Sequence, residues 1–306
     1  MPPSTTRTTR TTRTSGPRVA LVTCAPREGA TTDRDLPFLR DAVAAAGADA
    51  AVVRWDDPDV DWASHDLAVI RSTWDYTWRT GEFLPWADRC AAATTLANPA
   101  DVVRWNSDKR YLGELSARGV PTVATRYLPP GTEPDGLPAE HEYVVKPAAG
   151  AGARYAGRYR PGSDDAARAH IARMHAEGLT AMVQPYMPAI DSTGERALVF
   201  IGGRFLHAVA KNAVLSHGTA YDATKVAHPG VRPWTPTAAE LSTAEAALAT
   251  VPEASELLYA RVDLVDDEDG APRVMELELI EPNLFLGLHP ASMPVVAEAI
   301  VAAARR

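Results

Sequence analysis

The sequence has little of several features that define whole classes of protein. Its 306 residues include only two cysteines, Cys24 and Cys90, which give neither a disulfide framework nor a zinc-binding spacing and favour a reducing cytoplasm. No apolar run is long enough to cross a bilayer. A net charge of -8 offers no basic surface to a nucleic acid. We therefore expect a cytoplasmic globular protein that binds neither membrane nor nucleic acid.

The first residues also lack anything that a core could bury. Residues 1–16 repeat Thr-Thr-Arg, and we predict that they form a disordered tail. The full sequence is 46% hydrophobic, and the chain is long enough for two or three lobes with cores of their own.

An α/β pattern follows the tail. Short apolar strands are predicted at 19–24, 50–55 and 67–72, and a helix over 33–46 joins the first two. Strand, helix and strand joined by short connections predict a parallel, right-handed unit. Ligands of such sheets bind beyond the carboxyl ends of the strands.

The third strand ends in a polar, aromatic-rich segment, Arg-Ser-Thr-Trp-Asp-Tyr at 71–76. Its position makes it a candidate substrate contact, and the side chains we single out are Ser72, Trp74 and Asp75. The alternative is that its aromatic rings only pack against the next helix.

A lysine is predicted at the start of a helix. Ser107 or Asp108 can cap the helix that carries Lys109 in its first turn, and Gly119 ends that helix. A helix N-terminus already presents partial positive charge, so a cation there is unfavourable unless an anion is bound. Phosphate would provide the anion. The alternative is a solvated surface lysine.

A second lysine precedes a run of small residues. A strand ends at Lys146, and residues 148–153 are all Ala or Gly. Backbone N–H groups at Gly150 and Gly152 can close around phosphate oxygens, while the lysine supplies a point charge. A dinucleotide-binding fingerprint would require a helix next, but residues 154–160 have the pattern of a strand. We predict a hairpin whose flexible tip covers a triphosphate.

An extended segment follows a helix predicted over 164–177. It contains Gln184, Pro185 and Tyr186, and its free backbone donors and acceptors could meet a flat heterocycle such as adenine. A plain linker between two lobes is equally consistent with this segment.

Three cations lie on or beside strands that we expect to line one cleft. Arg196 opens a second hairpin together with Glu195, the hairpin ends at Lys211, and Arg261 lies on a later strand. Each alone is more often a surface charge. Together with the acids described next, they outline a site for an anion and a metal.

An acidic hairpin is predicted over 261–283, around the turn 266–270. Alternation places Glu276 and Glu278 on one face, with Asp263 on the facing arm. The other face would hold Met275, Leu277 and Leu279. Converging carboxylates repel one another unless a hard divalent cation lies between them. The alternative is a solvated acidic face over an apolar one.

The segment between these hairpins has no clear period. Residues 212–236 are predicted to form a long loop that is either mobile or functional. Its His217 and His228 have no partner at a metal-ligand spacing. Helices are predicted over 237–250 and 290–306.

The order of these parts resembles the ATP-grasp superfamily over nearly all of residues 18–300. The shared parts are a lysine at a helix start, a strand with Lys-Pro before a glycine-rich hairpin, an extended segment, Arg-x-Asp, and Glu-x-(Asn/Glu). The runs at 72–76, 104–109, 144–147 and 276–282 are similar to those of the bacterial group that includes D-cycloserine synthetase, an O-ureido-D-serine cyclo-ligase. Prokaryotic glutathione synthetase is a more distant relative.

The resemblance implies a role for each candidate residue. ATP would be held by Lys109, Lys146, Gly150, Gly152, Gln184, Pro185, Tyr186 and Glu195. Mg²⁺ would be held by Asp263, Glu276 and Glu278. The catalytic cations would be Arg261, Lys211 and Arg196. The usual Glu-x-Asn of the family is Glu-x-Glu here. A match at Glu281 and Asn283 lies past the expected strand end and ranks second.

The implied fold is mixed α/β and α+β. It is an ATP-grasp fold with an N-terminal Rossmann-like lobe over 17–105, a central lid lobe over 106–186 and a C-terminal antiparallel-sheet lobe over 187–306. The implied activity is an ATP- and Mg-dependent ligase that forms a C–N bond through an acyl phosphate and cyclises a small amino-acid derivative. The alternatives are an intermolecular carboxylate–amine ligase and a non-catalytic ATP-binding protein. A homodimer is what the family suggests.

Overall fold

Three β-sheets organise the computed structural model, which describes residues 16–25, 32–150, 152–215 and 230–306. Of the predicted tail, only Gly16 falls within these ranges. His217 and His228, which have no partner at a metal-ligand spacing in the sequence, lie outside them. No described helix is both long enough and apolar enough to cross a membrane.

The N-terminal sheet is parallel. Its elements are β1 (Arg18–Thr23), α1 (Leu36–Ala45), β2 (Asp49–Arg54), β3 (Leu67–Ser72), α2 (Thr80–Ala93) and β4 (Thr95–Ala97). The strand order is β2-β1-β3-β4, and every residue of β3 is buried. A strand covered on both faces is typical of parallel sheets and explains the uninterrupted apolar run at 67–70. The predicted α/β unit is present, with small shifts at the ends of its elements.

Lys109 lies in a turn between two short helices. These helices are α3 (Ala100–Asn106) and α4 (Tyr111–Ala117). The prediction that Ser107 or Asp108 caps a helix with Lys109 in its first turn is therefore wrong, because Arg110 is at the N-cap position. The Asp108 carboxylate accepts a hydrogen bond from the backbone N–H of Arg110 at 2.9 Å and so closes a turn before the helix begins.

The central sheet is antiparallel. Its elements are β5 (Arg126–Leu128), β6 (Tyr143–Pro147), β7 (Gly157–Tyr159), α5 (Asp164–Ala176) and β8 (Ala181–Pro185). The strand order is β5-β8-β6-β7. The strand predicted over 154–160 is shorter than expected. Ala153 and Tyr155 have φ angles of 56° and 55°, which an extended strand does not have.

The C-terminal sheet is also antiparallel. Its elements are α6 (Ala189–Ser192), β9 (Glu195–Ile201), β10 (Arg204–Lys211), β11 (Val231–Trp234), α7 (Ala238–Leu248), β12 (Tyr259–Asp266), β13 (Pro272–Glu278) and α8 (Ser292–Ala303). The strand order is β11-β10-β9-β12-β13. The loop predicted over 212–236 thus contains an edge strand, whose Pro233 had obscured the pattern.

A bulge changes the faces of β13. The register with β12 shifts between Asp263 and Leu264, so Met275 has no residue opposite it. The predicted grouping of Met275 with Leu277 and Leu279 on one face is therefore wrong. Leu277 and Leu279 belong to the core beneath the sheet, whereas Met275 packs in a separate cluster.

Two cores hold the C-terminal sheet between its neighbours. One contains Leu112 of α4 and Ala244 of α7, and the other contains Val69 of β3 and Val296 of α8. The adjacent β9 residues Leu198 and Val199 belong to different cores, because side chains alternate along a strand. The C-terminal sheet is therefore the element against which the other parts pack.

The predicted mixed fold class is confirmed. One parallel sheet lies within residues 18–97, and two antiparallel sheets lie within 126–185 and 195–278. The lobe boundaries at 105/106 and 186/187 stay predictions.

Candidate active site

A cavity of about 350 Å³ lies where the central and C-terminal sheets meet. The predicted site residues that line it are Trp74, Lys109, Lys146, Gly150, Gly152, Gln184, Pro185, Tyr186, Glu195, Lys211, Arg261, Asp263, Glu276 and Glu278. Residues more than 200 positions apart in the sequence therefore meet at one place.

The floor of the cavity is a network of acids and cations on the C-terminal sheet. Arg261 donates from Nε and Nη2 to the two oxygens of Asp263, at 2.8 Å each. Its Nη2 also lies 3.0 Å from Glu278. Lys211 Nζ lies 2.7 Å from Asp263 and contacts Glu195 as well. The network fixes these side chains before any ligand binds.

The network moves the pKa values of its members in opposite directions. Burial alone would raise the pKa of Asp263, but Arg261 and Lys211 hold it well below its usual range. Burial raises the pKa of Glu195 to about 7, and the nearby charge of Asp263 adds to the rise. Burial would lower the pKa of Lys211, yet the two carboxylates raise it. Asp263 therefore stays ionised at neutral pH, whereas Glu195 is close to its midpoint.

Lys109 holds the glycine-rich segment against β13. Its backbone N–H donates to the carbonyl oxygen of Ala148 at 2.8 Å, and its ammonium donates to that of Gly150. The ammonium also lies 3.1 Å from Glu276. Burial would lower the pKa of Lys109, but Glu276 raises it. This lysine is a paired cation within the cavity wall.

Lys146 is different, because among the described residues it makes no hydrogen bond or ion pair. Desolvation lowers its pKa, and the charges of Lys109 and Lys211 act in the same direction, although Glu276 opposes them. An ammonium without a counter-ion, in a cavity whose acids are bound by other cations, is suited to an anionic ligand.

The glycine-rich segment approaches the cavity closely and reaches across to the N-terminal lobe. A Cβ at Gly150 would lie 3.0 Å from Cγ of Pro147, and Gly152 has a φ of 61°. The guanidinium of Arg154, which also lines the cavity, lies 4.9 Å from the centre of the Trp78 ring. The segment therefore joins the central lobe to the loop after β3.

One end of the cavity is apolar, and sequence reasoning missed most of it. The side chains there include Val123, Val144, Met187, Ile190 and Met275. Alternation could have identified Val144, because it is two residues from Lys146 on the same strand. Met275 could not be identified from the sequence, because the bulge that turns it into the cavity depends on the pairing of β12 with β13.

The polar ends of Gln184 and Tyr186 are already engaged. Gln184 Nε2 donates to Thr125 Oγ1 at 2.8 Å, and the Tyr186 hydroxyl donates to Asp191 at 2.5 Å. The guanidinium of Arg158 lies 3.3 Å from the centre of the Tyr186 ring. What this segment offers a ligand is therefore its backbone and apolar surface.

Arg196 does not reach the cavity, contrary to the prediction that it lines the cleft. It is 1% exposed, donates to Glu240 at 2.8 Å and to the carbonyl oxygen of Gly194 at 2.9 Å, and contacts Asp266. Since adjacent strand residues face opposite sides, Glu195 in the cavity places Arg196 beneath the sheet. Its role is to join β9 to α7 and β12.

Two of the three predicted substrate contacts are also engaged elsewhere. Ser72 is buried, and its Oγ lies 2.9 Å from Thr23 Oγ1. Asp75 accepts hydrogen bonds from Trp55 at 2.9 Å and Arg79 at 3.2 Å. Neither lines the cavity. Trp74 does, and its Nε1 donates to the carbonyl oxygen of Glu281 at 3.3 Å.

A preassembled metal site is missing from the described part of the chain, where no three His, Cys, Asp or Glu side chains are grouped so as to hold a metal ion. The predicted ligands Asp263, Glu276 and Glu278 each contact a lysine or arginine instead. The second-ranked pair, Glu281 and Asn283, also lines the cavity and lies beyond the end of β13, as expected.

Comparison with known proteins identifies the family. The family model for the N-terminal domain of D-cycloserine synthetase DcsG matches residues 19–98. The chain is 37% identical over 269 residues to the cycloserine biosynthesis protein DcsG of Streptomyces lavendulae, covering 83% of this chain and 88% of that protein. The crystal structure of D-cycloserine synthetase DcsG has a TM-score of 0.83 at 33% identity, covering 94% of this chain and 99% of that one.

A more distant structure shares the fold. D-alanine–D-alanine ligase from Bacillus anthracis, complexed with ATP, has a TM-score of 0.63 at 14% identity, covering 95% of this chain and 98% of that one. The chain belongs to the DcsG-like family of ATP-grasp proteins and is an ATP-dependent ligase that forms a C–N bond.

Proposed function

We propose that the protein phosphorylates the carboxylate of a small amino-acid derivative with Mg-ATP and then closes a ring within the same molecule, as the name of D-cycloserine synthetase implies for its relative. The observation that carries the proposal is the ammonium of Lys146, which pairs with no described residue, in a cavity with one apolar end and one charged end. The apolar end suits adenine, and the charged end suits phosphates.

The residues fit a magnesium ion that is bound together with the nucleotide. Mg²⁺ is commonly held by one or two carboxylates plus substrate phosphates, so three preassembled protein ligands are not required. Glu276, Glu278 and Asp263 would hold it here. When bound, the ion would offset the charge of the phosphates and orient them.

The chain's own cations would share the phosphates. Lys146 supplies a charge that no described residue neutralises, Lys109 supplies a second cation from the base of the glycine-rich segment, and Arg261 would steady the transferred phosphoryl group. Lys211 holds Asp263 ionised and in place. The Gly150–Gly152 segment would cover the phosphates and exclude water.

The proposed chemistry balances as two steps. A carboxylate oxygen of the substrate attacks the γ-phosphorus of ATP, which forms an acyl phosphate and releases ADP. A nitrogen of the same molecule then attacks the acyl carbon, forms the C–N bond, loses a proton and expels inorganic phosphate. Because the acyl phosphate is also open to attack by water, closure of the cavity protects it.

The test is ADP release with Mg-ATP and O-ureido-D-serine, measured with that compound alone and again with an added amine or amino acid. We expect full turnover with the single compound, a cyclised product by mass spectrometry, and no turnover in Glu276→Gln. Turnover only with pairs of compounds would contradict ring closure and favour an intermolecular ligase. ATP binding without turnover on any compound would contradict catalysis and favour a non-catalytic ATP-binding protein.

The proposed cellular location and partner rest on the same family membership. We propose a cytoplasmic enzyme whose partner is a small amino-acid-like molecule. The homodimer that the resemblance suggests stays a prediction.

A further inference from the structure

A buried guanidinium at the edge of the N-terminal sheet has no counter-ion among the described residues. Arg71 is 3% exposed, and its Nε and Nη1 atoms are sealed from solvent without a hydrogen-bond partner. Its guanidinium lies 5.9 Å from the centre of the Tyr259 ring. A buried charge without a partner is strongly unfavourable, so a fold that retains one is expected to pair it with a ligand.

A second unpartnered group lies two residues further along. Thr73 is fully buried, and its Oγ1 has no hydrogen-bond partner in the described part of the chain. Ser72, between them, bonds to Thr23. One buried guanidinium and one buried hydroxyl, two residues apart in the chain, therefore have donors that the described residues leave without a partner.

The local backbone sets Arg71 apart from the regular sheet. The register of β1 with β3 shifts between Val22 and Thr23, so that Arg71 has no residue opposite it on β1. Bulges of this kind redirect a side chain and are frequent beside active sites. This position is also the carboxyl end of a parallel strand, where ligands of α/β sheets bind.

The same place adjoins the nucleotide cavity without being part of it. The Tyr259 hydroxyl lies 2.8 Å from the carbonyl oxygens of both Ile70 and Ile280, and so joins β3 to the segment after β13. That segment continues into Glu281, which lines the cavity, as does Trp74. Arg71 itself is not among the lining residues, so a ligand bound to it would lie at the border of the cavity.

We propose that Arg71, assisted by Thr73, binds the carboxylate of the amino-acid substrate. The proposal rests on the substrate class proposed above. A guanidinium presents two parallel N–H donors that match the two oxygens of a carboxylate, and the threonine hydroxyl can supply a third donor. The substrate then approaches from the N-terminal lobe, while the nucleotide occupies the cavity between the other two sheets.

The test measures binding by calorimetry in the presence of Mg²⁺ and a non-hydrolysable ATP analogue. The probes are O-ureido-D-serine, D-alanine and L-alanine, each compared with its own carboxamide. The variants are Arg71→Met, Arg71→Lys and Thr73→Val. Arg104→Met is the matched control, because Arg104 is a surface cation paired with Asp88.

We expect the Arg71→Met variant to fold but to lose the preference for a carboxylate over its carboxamide. Wild type should bind at least one carboxylate about 100-fold more tightly than its carboxamide, and Arg71→Met should reduce that ratio to less than about 5. Arg71→Lys and Thr73→Val should give intermediate ratios, and Arg104→Met should keep the wild-type ratio. Affinity for the ATP analogue should be unchanged. The melting temperature of ligand-free Arg71→Met should equal or exceed that of wild type, because the variant removes an unpaired charge.

Other outcomes separate this proposal from the proposed function. Any one of three results would overturn the role of Arg71. These are a wild-type ratio in Arg71→Met, no preference of the wild type for any carboxylate, and a marked fall in the melting temperature of Arg71→Met. If an alanine shows the expected ratios while O-ureido-D-serine does not bind, the proposed ring closure fails and the role of Arg71 stands.

Discussion

Lys146 is the residue at which the demands of stability and function differ most clearly. The other cations that line the cavity, Lys109, Arg154, Lys211 and Arg261, are each paired with a carboxylate. Lys146 is partly buried and has no such partner among the described residues, so its charge costs free energy until an anion binds. Its lowered pKa expresses the same cost.

We predict that Lys146→Met is more stable than wild type in the absence of ligand and no longer binds Mg-ATP. The gain at pH 7 should be about 1 kcal/mol, or roughly 2 °C in melting temperature. A lysine whose folded pKa lies below its unfolded value of 10.5 destabilises the fold most at low and neutral pH. The advantage of the variant should therefore shrink as the pH rises through the folded pKa and vanish above 10.5. Calorimetric melting between pH 7 and 10.5 measures it.

Lys109→Met is the matched comparison. It removes a paired cation and leaves Glu276 without its lysine, so we expect it to lower stability. Equal loss of stability in both variants would contradict the distinction drawn between the two lysines.

Most charged residues of the site could be predicted from the sequence, but Arg196 was wrongly expected to line the cavity. Lys146 and the glycines were found because a strand, a lysine and small residues follow one another without a break. Arg196 was expected beside Glu195, although the period of a strand sends neighbours to opposite faces. Arg71 was visible in the sequence but was not selected, since only the fold reveals that it is buried without a partner.

At the scale of elements, the glycine-rich segment is held from two sides. Lys109 binds its first carbonyl groups, and Arg154 stacks over Trp78 of the N-terminal lobe at 4.9 Å. Because Arg154 also lines the cavity, this stacking contact borders the cavity on the side of the N-terminal lobe.

We predict that Trp78→Ala lets water compete with the substrate nitrogen for the acyl phosphate. The amount of C–N product formed per ADP released should fall about two-fold or more, while the KM for ATP changes little. The measurement pairs an ADP assay with quantitative mass spectrometry of the product. Trp62→Ala is the control, because Trp62 packs against Trp86 within the N-terminal lobe. An unchanged ratio in a folded Trp78→Ala would argue against the contact as a closure.

The elements themselves were predicted unevenly, for physical reasons. Strands with an uninterrupted apolar run, such as 67–70 within β3, were placed correctly, because burial on both faces gives a clear signal. The turn that carries Lys109 was missed, because Asp108 resembles a cap and instead closes a turn two residues earlier than the helix. The bulge at Met275 depends on pairing between strands and leaves no mark in a single strand.

At the scale of the whole molecule, the C-terminal sheet organises the site. It packs against α4 and α7 on one face and against the N-terminal sheet and α8 on the other. The Tyr259 hydroxyl lies within 3.0 Å of three carbonyl oxygens, those of Ile70, Ala97 and Ile280, and so fixes the N-terminal sheet to the segment that borders the cavity. Substrate and nucleotide can therefore be presented to each other by lobes that meet at one sheet.

The proposed reaction depends on transfer of the γ-phosphoryl group to a substrate carboxylate in this cavity. The most direct test uses O-ureido-D-serine with both carboxylate oxygens labelled with ¹⁸O and follows the label by mass spectrometry of the released phosphate. We predict that one ¹⁸O enters inorganic phosphate for each product formed, because the bridging oxygen of the acyl phosphate leaves with phosphorus. Unlabelled phosphate alongside product, or label in AMP, would contradict it.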